Sequence, residues 1–259
     1  MRDSTLARIA GILYLVTFVT SIPALALKTP LLAGEPGAEA PGVVAIILEL
    51  ILAAACVGTA VALYPVLRRG TPVRAIGFVA SRVAEAGLVL LGVAALAALL
   101  RGPADALIPL RSLHDAAFLL GPGTIPAANA LLLATALLRT QPIPRAIPII
   151  GLAGAPLLLV SVVLTLAGVL DQVSPVAGLL AAPIAVWEFA VGVWLILGRT
   201  AGVGDATEDG VAPVQRTARA RFSRSSSASC RTTYAGRSRS TRQLSATEPT
   251  STASKPNRS

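Results

Sequence analysis

The chain has 259 residues, of which 54% are hydrophobic and 14% charged, and its mean hydropathy is +0.73. Soluble domains carry about 25% charged residues, so this composition excludes an ordinary water-soluble globule. The net charge of +9 is uneven, because residues 1–200 carry +3 and residues 201–259 carry +6.

Six apolar stretches lie in the first 200 residues, and each approaches the ~20 residues that cross the hydrocarbon core of a bilayer. Short breaks rich in Gly, Pro and charged residues separate them, which is typical of tight turns between antiparallel helices. The alternation of apolar and polar residues that marks a barrel is missing. We therefore predict an all-α polytopic bundle of six transmembrane helices at about 8–27, 42–66, 74–100, 112–138, 146–170 and 176–198.

The first stretch has one alternative, a cleaved signal peptide, because Arg2 and Arg8 precede an apolar run that ends near Ala24-Leu25-Ala26. The run from Ile9 to Leu27 is longer than the roughly 7–15 residues of a usual signal-peptide core. We expect this stretch to stay in the chain as the first spanning helix.

Lysine and arginine residues divide unequally between the two ends of the predicted helices. One end carries eight of them, namely Arg2, Arg8, Arg68, Arg69, Arg74, Arg139, Arg145 and Arg199. The other end carries three, namely Lys28, Arg101 and Arg111. Since basic residues concentrate in cytoplasmic loops, we expect both termini to lie in the cytoplasm.

Six ionisable residues lie in or beside the apolar stretches, namely Glu49, Arg82, Glu85, His114, Asp115 and Glu188. An isolated charge at the centre of a spanning helix costs roughly 2.5–3.5 kcal/mol on insertion scales, so such side chains should face the bundle interior and pair. At a rise of ~1.5 Å per residue, Arg82, Glu85 and Glu188 share a depth near the membrane midplane. We predict an intramembrane cluster of these three and an outer polar group formed by the other three.

Arg82 is the only fixed cation that we expect beside the four carboxylates. One of Glu85 and Glu188 is therefore expected to hold a proton at neutral pH. Together the two groups would line a polar cleft that opens outward and binds or moves a small solute or a proton. The alternative is a structural or accessory protein in which the buried charges only clasp helices, since buried ion pairs also mark packing.

The fourth stretch contains Gly121-Pro122-Gly123, followed by Pro126 and Asn129. Gly and Pro at the centre of an apolar span predict a kinked or broken helix. Carbonyl groups freed at such a break bind cations or ligand donors in transporters. A packing kink whose polar groups are satisfied by neighbouring helices is the alternative interpretation.

Several short motifs resemble the bacterial membrane family called domain of unknown function 4386. They are Ala7-Arg8-Ile9-Ala10-Gly11, Tyr64-Pro65-Val66-Leu67-Arg68-Arg69, the run from Gly77 to Ala86, His114-Asp115 with Gly121-Pro122-Gly123, the run from Asn129 to Leu133, and Trp187-Glu188 with Trp194. The resemblance covers about residues 7–199. It implies a multipass protein of the bacterial plasma membrane, and it implies no particular activity.

Common catalytic motifs are missing from the sequence. It has no Gly-x-Ser-x-Gly elbow and no phosphate-binding Gly-x-x-x-x-Gly-Lys loop. A single His and two separated Cys leave no His-rich metal site and no expected disulfide, and we expect no cofactor. An enzyme is the less favoured hypothesis; its remaining form is a lipid hydrolase that uses Asp115 or Glu49.

From about Gly202 the composition changes, and residues 213–259 are rich in Arg, Ser and Thr with few apolar residues. Such a segment cannot bury enough surface to offset the entropy of ordering it. We expect a transmembrane domain at 1–200 and a disordered basic cytoplasmic tail at 201–259. A solvated tail without a specific partner is the favoured interpretation, and binding to anionic lipid headgroups is the alternative; we do not expect specific nucleic-acid binding. An out-of-frame C-terminus is the alternative origin of this segment.

Overall fold

A computed structural model of the chain describes residues 3–140 and 143–197, apart from the side chain of Ala104. Within these ranges the regular structure is entirely helical. The helices are α1 (Asp3–Ala33), α2 (Glu39–Leu67), α3 (Pro72–Leu99), α4 (Leu107–Leu120), α5 (Ile125–Thr140), α6 (Ala146–Leu166) and α7 (Pro175–Ile196), with a single 3-10 turn (Ala104–Ala106) before α4. The predicted tail, Arg2 and Arg199 lie outside the described residues.

Six helical segments are long and apolar enough to cross a membrane, with α4 and α5 together forming the fourth from Leu107 to Thr140. Large apolar side chains cover the outside of the bundle; Val19, Ile108 and Leu179 are more than 70% exposed. A surface so rich in exposed aliphatic groups suits hydrocarbon rather than water. The predicted all-α, six-span multipass membrane bundle is thereby confirmed.

The helices α1 and α6 end at different residues from those predicted, and a glycine explains each end. Helix α1 continues through Pro23 and Pro30 to Ala33, where Gly34 adopts a positive φ of 72°. Helix α6 stops at Leu166 rather than near 170, and Gly168 has a φ of 71°. Glycine adopts this left-handed conformation without a Cβ clash, so it commonly terminates helices. The longer α1 places Lys28 inside a helix, where the sequence analysis had placed a turn.

The predicted break in the fourth span lies between α4 and α5. The carbonyls that precede it find partners within the turn. The Ala117 oxygen accepts from the Gly121 N–H at 2.9 Å, and the Phe118 oxygen accepts from the Gly123 N–H at 2.9 Å. The Thr124 hydroxyl donates to the Leu119 oxygen at 2.8 Å. This pairing supports the packing-kink interpretation of Gly121-Pro122-Gly123.

The spans close into a ring. Helix α1 contacts α2 and α7, helix α3 contacts α2, α4 and α5, and helix α6 contacts α5 and α7. Glycines allow the closest approaches: a Cβ on Gly11 of α1 would lie 2.6 Å from the carbonyl oxygen of Gly192 in α7. Likewise, a Cβ on Gly151 of α6 would lie 2.6 Å from the Trp187 ring. Around Gly192 and Trp187, helix α7 is therefore tightly packed against α1 and α6.

The contact between Gly151 and Trp187 yields a stability prediction. Gly151→Ala should lower the free energy of unfolding by about 1–3 kcal/mol, because the new methyl group overlaps a buried indole ring. Thermal unfolding in detergent, followed by tryptophan fluorescence, measures the change. Gly87→Ala in α3 is the matched control, since nothing lies within 4 Å of its Cβ position; it should be neutral or stabilise by up to about 1 kcal/mol. Equal unfolding temperatures for the two variants would contradict the predicted packing.

Candidate functional site

Arg82, Glu85 and Glu188 meet in the interior of the ring. The Nη1 atom of Arg82 lies 3.0 Å from Oε2 of Glu85, and its Nη2 atom lies 3.4 Å from Oε1 of Glu188. The amide Nδ2 of Asn129 donates to Oε2 of Glu85 at 2.7 Å. The structure thus brings together the three residues of the predicted intramembrane cluster and adds Asn129, which the sequence analysis had placed only with the broken helix.

The sequence of α3 explains why two members of the cluster lie on the same face of this helix. Phe78, Arg82 and Glu85 are buried at spacings of four and three residues, which is one face of a helix. The Arg82 guanidinium is covered by the Tyr14 ring at 4.7 Å and by the Phe78 ring at 5.8 Å. Aromatic faces attract a cation, most strongly where water is excluded. Nη1 of Arg82 also lies 3.7 Å from Sγ of Cys56, so α1, α2, α3 and α7 all enclose this side chain.

The two carboxylates of the cluster differ in how firmly they are held. Glu85 accepts one hydrogen bond from Arg82 and a shorter one from Asn129, and its side chain is 7% exposed. Among residues 3–140 and 143–197, Glu188 has only the longer contact to Arg82, and its side chain is 13% exposed. Charge-assisted hydrogen bonds are the strong ones, so Glu85 is the principal partner of Arg82. With all three side chains ionised, the cluster carries a net charge of −1.

A cavity of about 280 Å³ adjoins the cluster, which we call the inner cavity. Its polar wall comprises Thr17, Ser21, Arg82, Glu85 and Glu188. The rest of the wall is mostly apolar and comes from α1, α2, α3, α6, α7, the turn between α4 and α5, and the start of α5. The exposed edge of Glu188 therefore faces an open space within the bundle.

The predicted outer polar group contains a cation that the sequence analysis missed. Nζ of Lys28 lies 2.5 Å from Oε1 of Glu49, and both residues are at least 95% buried. Nζ also lies 4.4 Å from the centroid of the Phe118 ring. The sequence predicts Lys28 in a loop and Arg82 as the only fixed cation beside the carboxylates; this prediction is wrong because α1 continues past Lys28. The apolar run Leu31-Leu32-Ala33 before Gly34 is the signal that could have revealed the longer helix.

His114 and Asp115, the other members of the outer polar group, occupy different environments. His114 is buried, stacks on Phe118 with 6.2 Å between ring centroids, and has its Nδ1 atom 3.1 Å from Oδ1 of Asp115. The side chain of Asp115 is 47% exposed, and its Oδ2 atom lies 3.7 Å from Nε of Arg111. The group therefore extends from the buried Lys28–Glu49 pair to the outer end of α4. Within residues 3–140 and 143–197, no three His, Cys, Asp or Glu side chains are placed to hold a metal ion.

A row of cavities connects the outer polar group with the intramembrane cluster. An outer basin of about 510 Å³ is bordered by Lys28, His114, Phe118 and Asp115. The first three of these also line a narrow cavity of about 40 Å³. That cavity in turn shares Ser21, Leu52, Val89 and Pro122 with the inner cavity. The Lys28–Glu49 pair and the Phe118 ring thus lie at the narrowest part of the row.

The Lys28–Glu49 pair gives a double-mutant prediction. Lys28→Met leaves the Glu49 carboxylate buried without its partner, and such a loss costs about 3–5 kcal/mol. Lys28→Met combined with Glu49→Met removes both charges, so it should recover most of the lost stability. Chemical unfolding of the single and double variants in detergent measures both steps. A double variant no more stable than Lys28→Met would show that the pairing does not carry the stability.

Comparison with known proteins adds one finding. A family model described as "Domain of unknown function (DUF4386)" matches residues 9–198. No curated protein and no solved structure matches the chain. The matched range includes all six spans except the first residues of α1, and every residue of both polar groups.

Proposed function

The chain belongs to the family described as Domain of unknown function (DUF4386), and we propose, from its polar interior, that it binds a proton at Glu188 and moves it, or a small solute exchanged for it, through an intramembrane cleft. The family itself supplies no activity. The proposal therefore depends on the chemistry of the cluster in the bundle of this chain.

One observation carries the proposal, which is the charge imbalance at Arg82. The Glu85 carboxylate lies 3.0 Å from the Arg82 guanidinium and accepts a hydrogen bond from Asn129 at 2.7 Å. Glu188 is then a second carboxylate, and its single polar contact within the described part of the chain is to Arg82 at 3.4 Å. An unbalanced charge in the hydrocarbon region costs roughly 2.5–3.5 kcal/mol on insertion scales. A proton or a cation bound at Glu188 removes that cost, so this carboxylate favours their binding.

Access to Glu188 supports the same function. The outer basin, the narrow cavity and the inner cavity follow one another from the outer, N-terminal end of α4 to the intramembrane cluster. Lys28, Glu49 and Phe118 line the constriction between the two larger spaces. Ion and proton paths in membrane proteins are marked by ionisable residues that face the bundle interior in this way. We propose that these residues control passage along this route; a second route to Glu188 leads through a cavity that shares Phe118, Gln172 and Val173 with the outer basin.

We propose that the chain lies in the plasma membrane with both termini in the cytoplasm. One end of the bundle carries the described arginines Arg8, Arg68, Arg69, Arg74, Arg139 and Arg145. The opposite end carries Arg101 and Arg111, since Lys28 is buried in a helix rather than placed in a loop. Asp3 and Arg69 form an ion pair, so the start of α1 and the turn between α2 and α3 lie at the same end. The positive-inside rule then places the arginine-rich end in the cytoplasm.

A structural role is the second candidate, and the enclosure of Arg82 favours it. Side chains from α1, α2, α3 and α7 surround the guanidinium, as a clasp between helices would require. Replacing a buried ionic group by apolar residues of similar volume is often neutral or stabilising. A clasp alone therefore predicts that Arg82→Leu, Glu85→Leu and Glu188→Leu together leave folding intact, and that Glu188 shows no proton binding.

Glu188→Gln separates these two functions. We expect wild-type protein in lipid vesicles to show an infrared signal of a protonated carboxyl that titrates with pH, and Glu188→Gln to lack it while keeping its unfolding temperature. Proton flux driven by a potassium diffusion potential should fall at least tenfold in the variant. Glu39→Gln, at an exposed position of α2, is the matched control and should leave both measurements unchanged. Identical infrared titrations for wild type and Glu188→Gln would contradict the proposal.

Orientation is testable by labelling single cysteines. In a background of Cys56→Ala and Cys230→Ser, Arg101→Cys should react with a membrane-impermeant maleimide in intact cells. Arg69→Cys should react only after the cells are broken, because the arginine-rich end faces the cytoplasm. The exposed pair between Arg69 and Asp3 is worth about 0–1 kcal/mol, so its loss should not disturb folding. The reverse labelling pattern would refute the proposed orientation.

A further inference from the structure

We propose that the solute which exchanges with the proton is a monovalent amphipathic cation, whose ammonium group binds Glu188 and whose apolar body lies in a groove between α1, α6 and α7. This inference rests on the proposed function, because it names the class of solute for the same carboxylate. Nothing in the family description assigns such a ligand.

The shape and lining of the space beside Glu188 are the first argument. The inner cavity continues into a second cavity of about 220 Å³, because both are lined by Pro122, Leu158 and Ala181. We call the two together the α1–α7 groove. Along α7 it extends from Ser174 to Glu188, which is ~21 Å at ~1.5 Å per residue. The space is therefore elongated, with the cluster at one end.

The chemistry of the groove is the second argument. Its middle part is lined by aliphatic side chains from three helices, namely Ile22 and Leu25 of α1, Leu158 and Val162 of α6, and Ala181, Ile184 and Ala185 of α7. Such a wall favours an apolar body over a hydrated ion. Ile22 is also 66% exposed on the outside of the bundle, so the groove wall continues onto the lipid-facing surface. An amphipathic molecule dissolved in the bilayer can reach the groove there.

The charged side chains at the Glu188 end of the groove favour a ligand that carries a single positive charge. An anionic ligand would face both Glu85 and Glu188, while Arg82 is already engaged by Glu85 at 3.0 Å. Ca²⁺ and Mg²⁺ need about six oxygen ligands. In the inner cavity, side-chain oxygens come from Glu188, Thr17 and Ser21, and from Glu85, which is already paired with Arg82. Phe18, which also lines the inner cavity, presents an aromatic ring of the kind that binds quaternary ammonium groups.

Exchange with a proton follows from the charge balance. Protonated Glu188 and a free ammonium ion become a carboxylate–ammonium pair and a released proton, so no net charge is gained in the membrane. The charged and titratable neighbours of this position are Arg82 and Glu85 from α3, Tyr14 from α1 and Cys56 from α2. Helix α6, which also borders the groove, has no titratable side chain in its sequence. The affinity for the cation should consequently weaken as the pH falls.

Benzyltrimethylammonium is a suitable probe, since its charge does not depend on pH. Calorimetric titration of the full chain in detergent, repeated in buffers of different ionisation enthalpy, should show binding with release of about one proton where Glu188 is protonated. Glu188→Gln should weaken binding at least tenfold. Neopentylbenzene, the uncharged isostere, should release no proton.

Two tryptophan substitutions test the location. Ala185→Trp fills the groove wall and should abolish binding of benzyltrimethylammonium while the carboxyl infrared titration of Glu188 persists. Val186→Trp lies on the adjacent, 56% exposed position of α7 and is the matched control that should bind normally. No binding by wild type, or equal affinity in wild type and Glu188→Gln, overturns the inference. If the infrared titration of Glu188 persists in that case, the proposed proton site is still supported, so failure of the cation proposal is distinguishable from failure of the proposed function.

Discussion

An arginine side chain that is 2% exposed lies within an apolar six-span bundle, and the surrounding structure is organised to accommodate it. Hydrocarbon cannot solvate a guanidinium, so Arg82 needs partners that protein alone must supply. Glu85 provides the opposite charge from the same helix face, Asn129 fixes that carboxylate from α5, and the Tyr14 ring covers the cation from α1. The position of Arg82 therefore ties together helices that are distant in sequence.

The two buried ionic groups differ in a way that assigns them different roles. Lys28 and Glu49 balance each other one to one at 2.5 Å, which leaves a neutral pair at the narrow part of the cavity row. Arg82 faces two carboxylates, so its group keeps one negative charge unless Glu188 binds a proton or a cation. A pair whose charges cancel suits a structural or gating contact, whereas a carboxylate with an uncompensated charge beside a cavity suits the binding of a proton or a cation. We therefore propose Glu188 as the functional group of the bundle.

The broken fourth span lets one crossing of the membrane serve both groups. Helix α4 presents His114 and Phe118 beside Lys28, and helix α5 presents Asn129 to Glu85. The turn at Gly121-Pro122-Gly123 separates these two segments and satisfies the carbonyls of Ala117, Phe118 and Leu119 by its own hydrogen bonds. The break therefore acts through the side chains that it positions in the two groups, while these three carbonyls are already paired.

Composition and periodicity alone determined the class of this protein. Six apolar stretches of spanning length leave a helical membrane bundle as the solution, because every backbone polar group must pair internally in lipid. The three-residue spacing of Arg82 and Glu85, and the depth that they share with Glu188, also placed these residues near one another. The prolines at 23 and 30 and the lysine at 28 look like a turn, although the apolar run that follows them favours the longer α1. Only the packing of α1 against its neighbours buries that lysine against Glu49, and only tertiary contacts make Asn129 the second partner of Glu85. Pairing between distant helices depends on their rotation and distance from each other, which sequence spacing does not specify.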